Sequence, residues 1–230
     1  MIKRVSLVVV AVLSSAVFLS FATGVVLKQF TFNENDALDQ WSKMVLNGAV
    51  DYELIKQGRA GYVQAISDKA CSAIYYKMPY KVKDYPLLGW KWKVVAFPDI
   101  SKARTPKEKD DYAARVYVIF PHLSFTFSKF IEYVWAEDIP AGTIFDSPYG
   151  KNVKMIVVRS GRTNSGEWVS ESRNVYEDYV KAFGTEPKKD AAAIAIMCDA
   201  DSTKTMAESL FDDIAVSAPE TRSIEEVKQI

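Results

Sequence analysis

Carboxylates are the catalytic currency this sequence holds in quantity. Asp110-Asp111, Glu132, Glu171, Asp178, Asp199 and Asp201 could supply the acid and base that glycan hydrolysis places across a scissile bond. The competing employment for the same residues is in turns, helix caps and solvated surface. Asp199-Ala-Asp201-Ser-Thr203 looks like half of a calcium loop, with Asp212 or Asp213 as further oxygen ligands. It is not an EF-hand, because Lys204 stands where glycine is needed and Leu210 where a bidentate glutamate belongs. A structural calcium is therefore the one cofactor left open. Arg115 begins an otherwise apolar segment. A partly buried arginine needs a carboxylate partner, and Asp111 and Asp199 are the candidates.

Other chemistries fail on inspection. The chain has one histidine, His122, so no multi-histidine metal site and no HExxH motif exists. Gly161 and Gly166 have the glycine spacing of a P-loop, but Glu167-Trp168 replaces the Lys-Ser/Thr that would hold phosphate and metal. Neither a GxSxG elbow nor a GxGxxG turn occurs. Cys71 and Cys198 each lie among apolar neighbours. Two buried thiols and one disulfide are both compatible with that placement.

Aromatic residues offer a second kind of site. Trp90, Trp92, Tyr133 and Trp135 alternate on two segments, and Arg115 shares a face with Tyr117 on a third. An open sheet face of this kind suits stacking on sugar rings, where flat apolar surfaces meet polar rims. Trp90, Trp92, Asp111, Arg115, Tyr133, Trp135, Asp199 and Asp201 are accordingly the candidate ligand-binding residues. The alternative is that the same rings form the core between two sheets.

The elements that must carry these residues read mainly as short strands. Leu88–Phe97 alternates cleanly, with Trp90, Trp92, Val94 and Ala96 on one face and Lys91 and Lys93 on the other. Strand patterns also cover residues 29–32, 49–56, 62–67, 72–78, 114–120, 130–136, 154–160, 167–170, 192–198 and 210–216. Residues 37–46, around Trp41, read as a short helix or loop. Residues 98–111 are polar, charged and interrupted by two prolines, which predicts a surface loop. Val175, Tyr176, Tyr179, Val180 and Phe183 recur at helical spacing after an Asn174 N-cap and before a Gly184 stop. This pattern predicts a mostly β chain, an antiparallel β-sandwich or jelly roll of galactose-binding-like or lectin-like type, with one or two short helices.

At the N-terminus, Lys3-Arg4 precedes an uncharged run from Val5 to Phe21, and Ser20-Phe21-Ala22 has the pattern a signal peptidase reads. Residues 1–27 are thus expected to be a signal peptide or an uncleaved anchor, residues 28–216 one domain, and residues 217–230 a polar tail. The expected location is outside the cytoplasm, periplasmic or anchored in the inner membrane. Without Lys3 and Arg4 the chain has 27 basic against 29 acidic side chains, a balance that gives no field for holding nucleic acid or an anionic membrane.

PLLGWKWKV, DDYAARVYVIF, FIEYVWA, EWVSESRNVYEDYVKAFG, IAIMCDADST and FDDIAVS together resemble the bacterial domain-of-unknown-function family 3047. The resemblance spans nearly everything after the leader and implies an exported, jelly-roll-like domain without an assigned chemistry. Three functions follow as expectations. The first is a non-catalytic envelope module that binds a glycan or a protein partner. The second is a carboxylate-dependent glycan hydrolase or lyase, and the third a structural interaction domain.

Overall fold

The computed structural model describes residues 24–220, which form two facing β-sheets. Most of the segment expected to be a signal peptide or anchor, and most of the polar tail, lie outside the described residues. In chain order the strands are β1 (Val26–Phe30), β2 (Trp41–Asn47), β3 (Asp51–Gln57), β4 (Ala60–Asp68), β5 (Cys71–Tyr80), β6 (Leu87–Ala96) and β7 (Ala114–Phe120). There follow β8 (Lys129–Ala136), β9 (Ile144–Ser147), β10 (Gly150–Ser160), β11 (Val169–Asn174), β12 (Ala191–Asp199) and β13 (Met206–Ser217). One sheet runs β11-β6-β13-β4-β3, with β1 completing it along the distal half of β13. The other runs β2-β5-β12-β7-β8-β10-β9. Pairing is antiparallel throughout except between β10 and β8. This is the expected β-sandwich of jelly-roll type.

Two expectations about elements change. Trp41–Asn47 is the edge strand β2, not a helix or loop. Turns over residues 35–40 lead into it, and its pairing with β5 supplies the hydrogen bonds that a lone segment lacks. Moreover β1 starts at Val26, so the sandwich takes in residues ahead of Lys28.

The helix α1 (Val175–Phe183) forms where its apolar spacing and caps place it. Asn174 Oδ1 accepts the Glu177 N–H at 3.1 Å, and Gly184 ends the helix in the left-handed region at φ 70°, a conformation with little cost for glycine. Tyr179 turns inward from α1 and meets Phe120 edge-on at 4.6 Å, so the helix closes one end of the sandwich.

Between the sheets lies the aromatic set. Trp90, Trp92, Tyr133 and Trp135 are all buried, with ring centroids 5.3 Å apart for Trp90–Trp92, 5.2 Å for Trp90–Tyr133 and 5.9 Å for Trp92–Trp135. The sugar-stacking face expected from these four rings is therefore corrected: they are core. The parity of β6 and β8 puts them toward each other, and burial of rings this large is a main source of the sandwich's stability. Trp92, Tyr133 and Trp135 find polar partners at the edge of the core, whereas the buried Trp90 Nε1 has none. Trp135 Nε1 donates to the Gly161 carbonyl at 2.9 Å, and Tyr133 Oη donates to Asp178 Oδ2 at 2.9 Å. Cys198 faces this core, whereas Cys71 belongs to a small cluster on the outer face with Ala73 and Met197. Both thiols are free.

Candidate functional site

The outer face of the seven-stranded sheet carries the polar chemistry. Arg115, Tyr117 and Ile119 project from β7 away from the core, as do Phe130 and Glu132 from β8 and Ala195, Met197 and Asp199 from β12. Register places Tyr117 beside both Glu132 and Ala195, and Asp199 beside Cys71 of β5. Met44, Leu46 and Asn47 of β2 form one wall. The turn and strand start around Ser147, Tyr149, Asn152 and Val153 form the other. The result is an open groove of ≈ 590 Å³.

One end of the groove is built around Arg115, only 3% exposed. Its Nε donates to Asp199 Oδ1 at 2.9 Å and its Nη2 to Asp199 Oδ2 at 2.6 Å, a bidentate fork. Nη1 donates to Glu132 Oε1 at 2.7 Å, and Nη2 also reaches the Asp110 backbone carbonyl at 2.5 Å. The Tyr112 ring lies over the guanidinium, 4.7 Å from Cζ to centroid. Burial pushes the Asp199 carboxyl up, while Arg115 and the Tyr112 N–H oppose that shift. Asp110 has no such fork: its Oδ1 is 3.8 Å from Arg115 Nη1 and accepts no hydrogen bond. Burial, partly opposed by Arg115 and reinforced by the Glu132, Asp111 and Asp201 charges, pushes the Asp110 carboxyl up to about 7.

That shift has a sign that can be measured. The folded state holds the Asp110 proton more tightly than the unfolded chain, where an aspartic acid titrates near ~4. The stability so gained is complete below about pH 4 and is lost as pH rises through about 7. Raising the pH from 5 to 7 is expected to destabilise the fold by on the order of 1 kcal/mol per unit. Asp212, pushed up to about 6 chiefly by burial, acts in the same direction. Asp110→Asn should flatten the Asp110 part of the slope, as read by urea unfolding at several pH values. An unchanged slope in that variant would refute the assignment.

The remaining candidates separate by role. Asp111 does not pair with Arg115. Its carboxylate accepts from Ser202 N at 3.1 Å, Thr203 N at 2.6 Å and Thr203 Oγ1 at 2.6 Å, tying the turn after β12 to the end of the 98–111 segment. Asp111 thus has both carboxylate oxygens engaged by the turn, while Asp199 Oδ2 accepts only from Arg115 Nη2. Asp201 is half-exposed at the groove, where its Oδ2 accepts from Asn47 Nδ2 at 2.7 Å. His122 is exposed at a strand end. Sequence reasoning missed Cys71, Tyr75, Tyr149 and Asn47 as groove residues. It singled out Asp111 where Asp110 and Glu132 are the carboxylates that join Arg115 and Asp199.

Fold and groove together define a β-sandwich domain of jelly-roll type with a grooved outer sheet. The chain belongs to the family described as "Protein of unknown function (DUF3047)", which matches residues 39–215. No curated protein matches the sequence. Among solved structures, the chain is similar to the Family 11 carbohydrate-binding module from Clostridium thermocellum in complex with a β-1,3-1,4-mixed-linked tetrasaccharide. That match has 9% identity and a TM-score of 0.45, covering 86% of this chain and 100% of that one. The CBM22-1 xylan-binding domain of Paenibacillus barcinonensis Xyn10C matches at 11% identity and TM-score 0.45, over 86% and 97% of the two chains. The K1 cleaved adhesin domain of Lys-gingipain from Porphyromonas gingivalis matches at 8% identity and TM-score 0.40, over 84% and 98%. Similarity this low bears on neither ligand nor site.

Proposed function

We propose that the protein is a non-catalytic binding domain that seats a segment of glycan in the outer groove. The observation that carries this is the groove's composition. Tyr75, Tyr117 and Tyr149 line it together with the hydrogen-bonding side chains of Asn47, Thr126, Asn152 and Asp201. A pyranose ring presents a flat C–H face and a rim of hydroxyls, and that combination needs both kinds of surface. The site thereby moves from the tryptophan rings, now core between the two sheets, to the outer face of the seven-stranded sheet. With the basic, apolar leader, the ligand class fits a polysaccharide of the bacterial envelope.

One observation favours a glycan hydrolase or lyase: Asp110, held near neutrality, lines the groove. The partner carboxylates Glu132 and Asp199 are committed to Arg115 at 2.7 Å and 2.6 Å, and Asp201 already accepts from Asn47 Nδ2 at 2.7 Å. Each other carboxylate of the groove thus holds a hydrogen bond that catalysis would have to share. Binding without turnover is the reading that uses the groove as it stands.

Affinity electrophoresis against envelope and plant polysaccharides, with peptidoglycan pull-down, tests the proposal. Retention on at least one glycan is expected, with no new reducing ends released. Tyr75→Ala and Tyr149→Ala are expected to weaken retention by roughly 10-fold each while leaving the melting transition in place, the cost of removing an aromatic anchor. If no glycan is retained, the proposal fails; if reducing ends accumulate, the hydrolase reading replaces it.

A further inference from the structure

The acidic end of the groove holds more negative charge than its guanidinium offsets. Asp110, Glu132, Asp199 and Asp201 line it with Arg115, and no lysine is among the described lining residues. Arg115 is already divided between Glu132 and Asp199. Asp110 Oδ1, in a side chain 7% exposed, accepts no hydrogen bond. A thiol faces this cluster. Cys71 is the register partner of Asp199 on the neighbouring strand. One ligand atom each from Cys71, Asp199 and Asp201 lie within 4.8 Å of one another.

We propose that Cys71, Asp199 and Asp201 form a binding site for a divalent cation of borderline softness, of the zinc class, open toward the groove. The ligand types decide the class of ion. Calcium and magnesium take oxygen ligands, whereas a sulfur ligand beside carboxylates selects zinc or an ion like it. Tetrahedral zinc, with sulfur at ~2.3 Å and oxygen at ~2.0 Å, sets neighbouring ligand atoms about 3.5 Å apart. The triad must therefore contract by up to about 1.3 Å, and Asp201, half-exposed on the turn after β12, is the member placed to move.

The surrounding hydrogen bonds are those a metal site needs, because coordinating carboxylates are themselves held by an outer shell. Arg115 and the Tyr112 N–H fix Asp199 at 2.6–2.9 Å. Asn47 Nδ2 fixes Asp201 through Oδ2 at 2.7 Å, leaving Oδ1 for the ion. On binding, the Cys71 S–H bond is replaced by an S–metal bond. The proton leaves to solvent, and the metal keeps its +2 state. Three protein ligands leave a fourth position facing the groove. The site shares Asn47 and Asp201 with the glycan reading but stands without it, because cobalt binding is read in the absence of any glycan.

The experiment is a cobalt(II) titration of the purified protein after dialysis against a chelator. Binding of one cobalt per chain is expected, with a thiolate-to-cobalt charge-transfer band in the near ultraviolet that added zinc removes. Cys71→Ser should abolish the band, whereas Cys198→Ser, altering a thiol in the core, should keep it. Asn47→Ala should weaken binding by roughly 10-fold, as for loss of an outer-shell partner. In the unaltered protein, zinc should slow alkylation of Cys71 by at least ~10-fold, mapped by peptide mass. This arm decides the matter even where Cys71→Ser fails to fold. Cobalt bound without the band, equal protection by calcium, or no binding overturns the proposal.

Discussion

Arg115→Ala is expected to destabilise the protein by about 3–5 kcal/mol at neutral pH, enough to unfold a marginal domain. The broken hydrogen bonds matter less here than the charges left behind. Asp199 and Glu132, both about 2% exposed at the side chain, would remain buried without a counter-charge. The Asp110 carbonyl would also lose its Nη2 donor. Arg115→Lys should recover only part of the loss, because an ammonium cannot make the bidentate fork to Asp199 while also reaching Glu132. Urea unfolding checks this, and repeating it near pH 4 identifies the mechanism. There Asp199, whose carboxyl burial pushes up, is no longer a stranded charge, and the deficit should shrink. A deficit that is equal at both pH values would mean lost packing, and an Arg115→Ala variant as stable as the parent would reassign the arginine to ligand binding.

Trp92→Ala should cost a comparable ~3–5 kcal/mol, for a different reason. Trp92 is wholly buried between Trp90 and Trp135, so truncation opens a cavity that two packed sheets can close only in part. Its Nε1 donates to Glu171 at 3.3 Å, but Arg159 also holds Glu171 at 2.7 Å, so the lost hydrogen bond adds little. Trp92→Phe should be milder. The diagnostic contrast is with Tyr149→Ala: the tryptophan change lowers the urea midpoint and leaves the affinity of the remaining folded protein unaltered, while the tyrosine change does the reverse. Weakened glycan affinity at an unaltered midpoint for Trp92→Ala would return the site to the tryptophan face.

The strands were legible because alternation is a local property. The pattern in Leu88–Phe97 sorts Trp90, Trp92 and Val94 from Lys91 and Lys93, and the structure keeps that sorting. Alternation cannot say which face meets the other sheet, however, and an aromatic stripe suits both a core and a sugar platform. A signal that resolves the ambiguity is present in β7 and β8. Arg115 and Glu132 fall on the parity opposite to Val116 and Val118 and to Tyr133 and Trp135 respectively. A charged residue placed within each apolar strand marks the face away from the core, and Asp199 does the same for β12. What no pattern contains is register. That Cys71 lies opposite Asp199, and that Asp199 meets Arg115, depends on pairing between segments far apart in sequence. The edge strand β2 was obscured for another reason. Val45 and Leu46 are both exposed, so its apolar residues fall on both parities and give no period.

The position of β13 bears on the order in which the chain can fold. It has β6 along one side and β4 and then β1 along the other, so it is the seam of the six-stranded sheet. Yet it is also the final strand of the described residues. Until residues 206–217 have been synthesised, β1 has no partner, β6 has only β11, and β4 has only β3. The inner face of that half-sheet, Trp90 and Trp92 included, has no complete surface to pack within. Loop closure over most of the chain must therefore precede core formation, which predisposes the domain to fold slowly and late. A growing chain of this protein would leave Trp90 and Trp92 exposed from their own synthesis until residues 206–217 emerge.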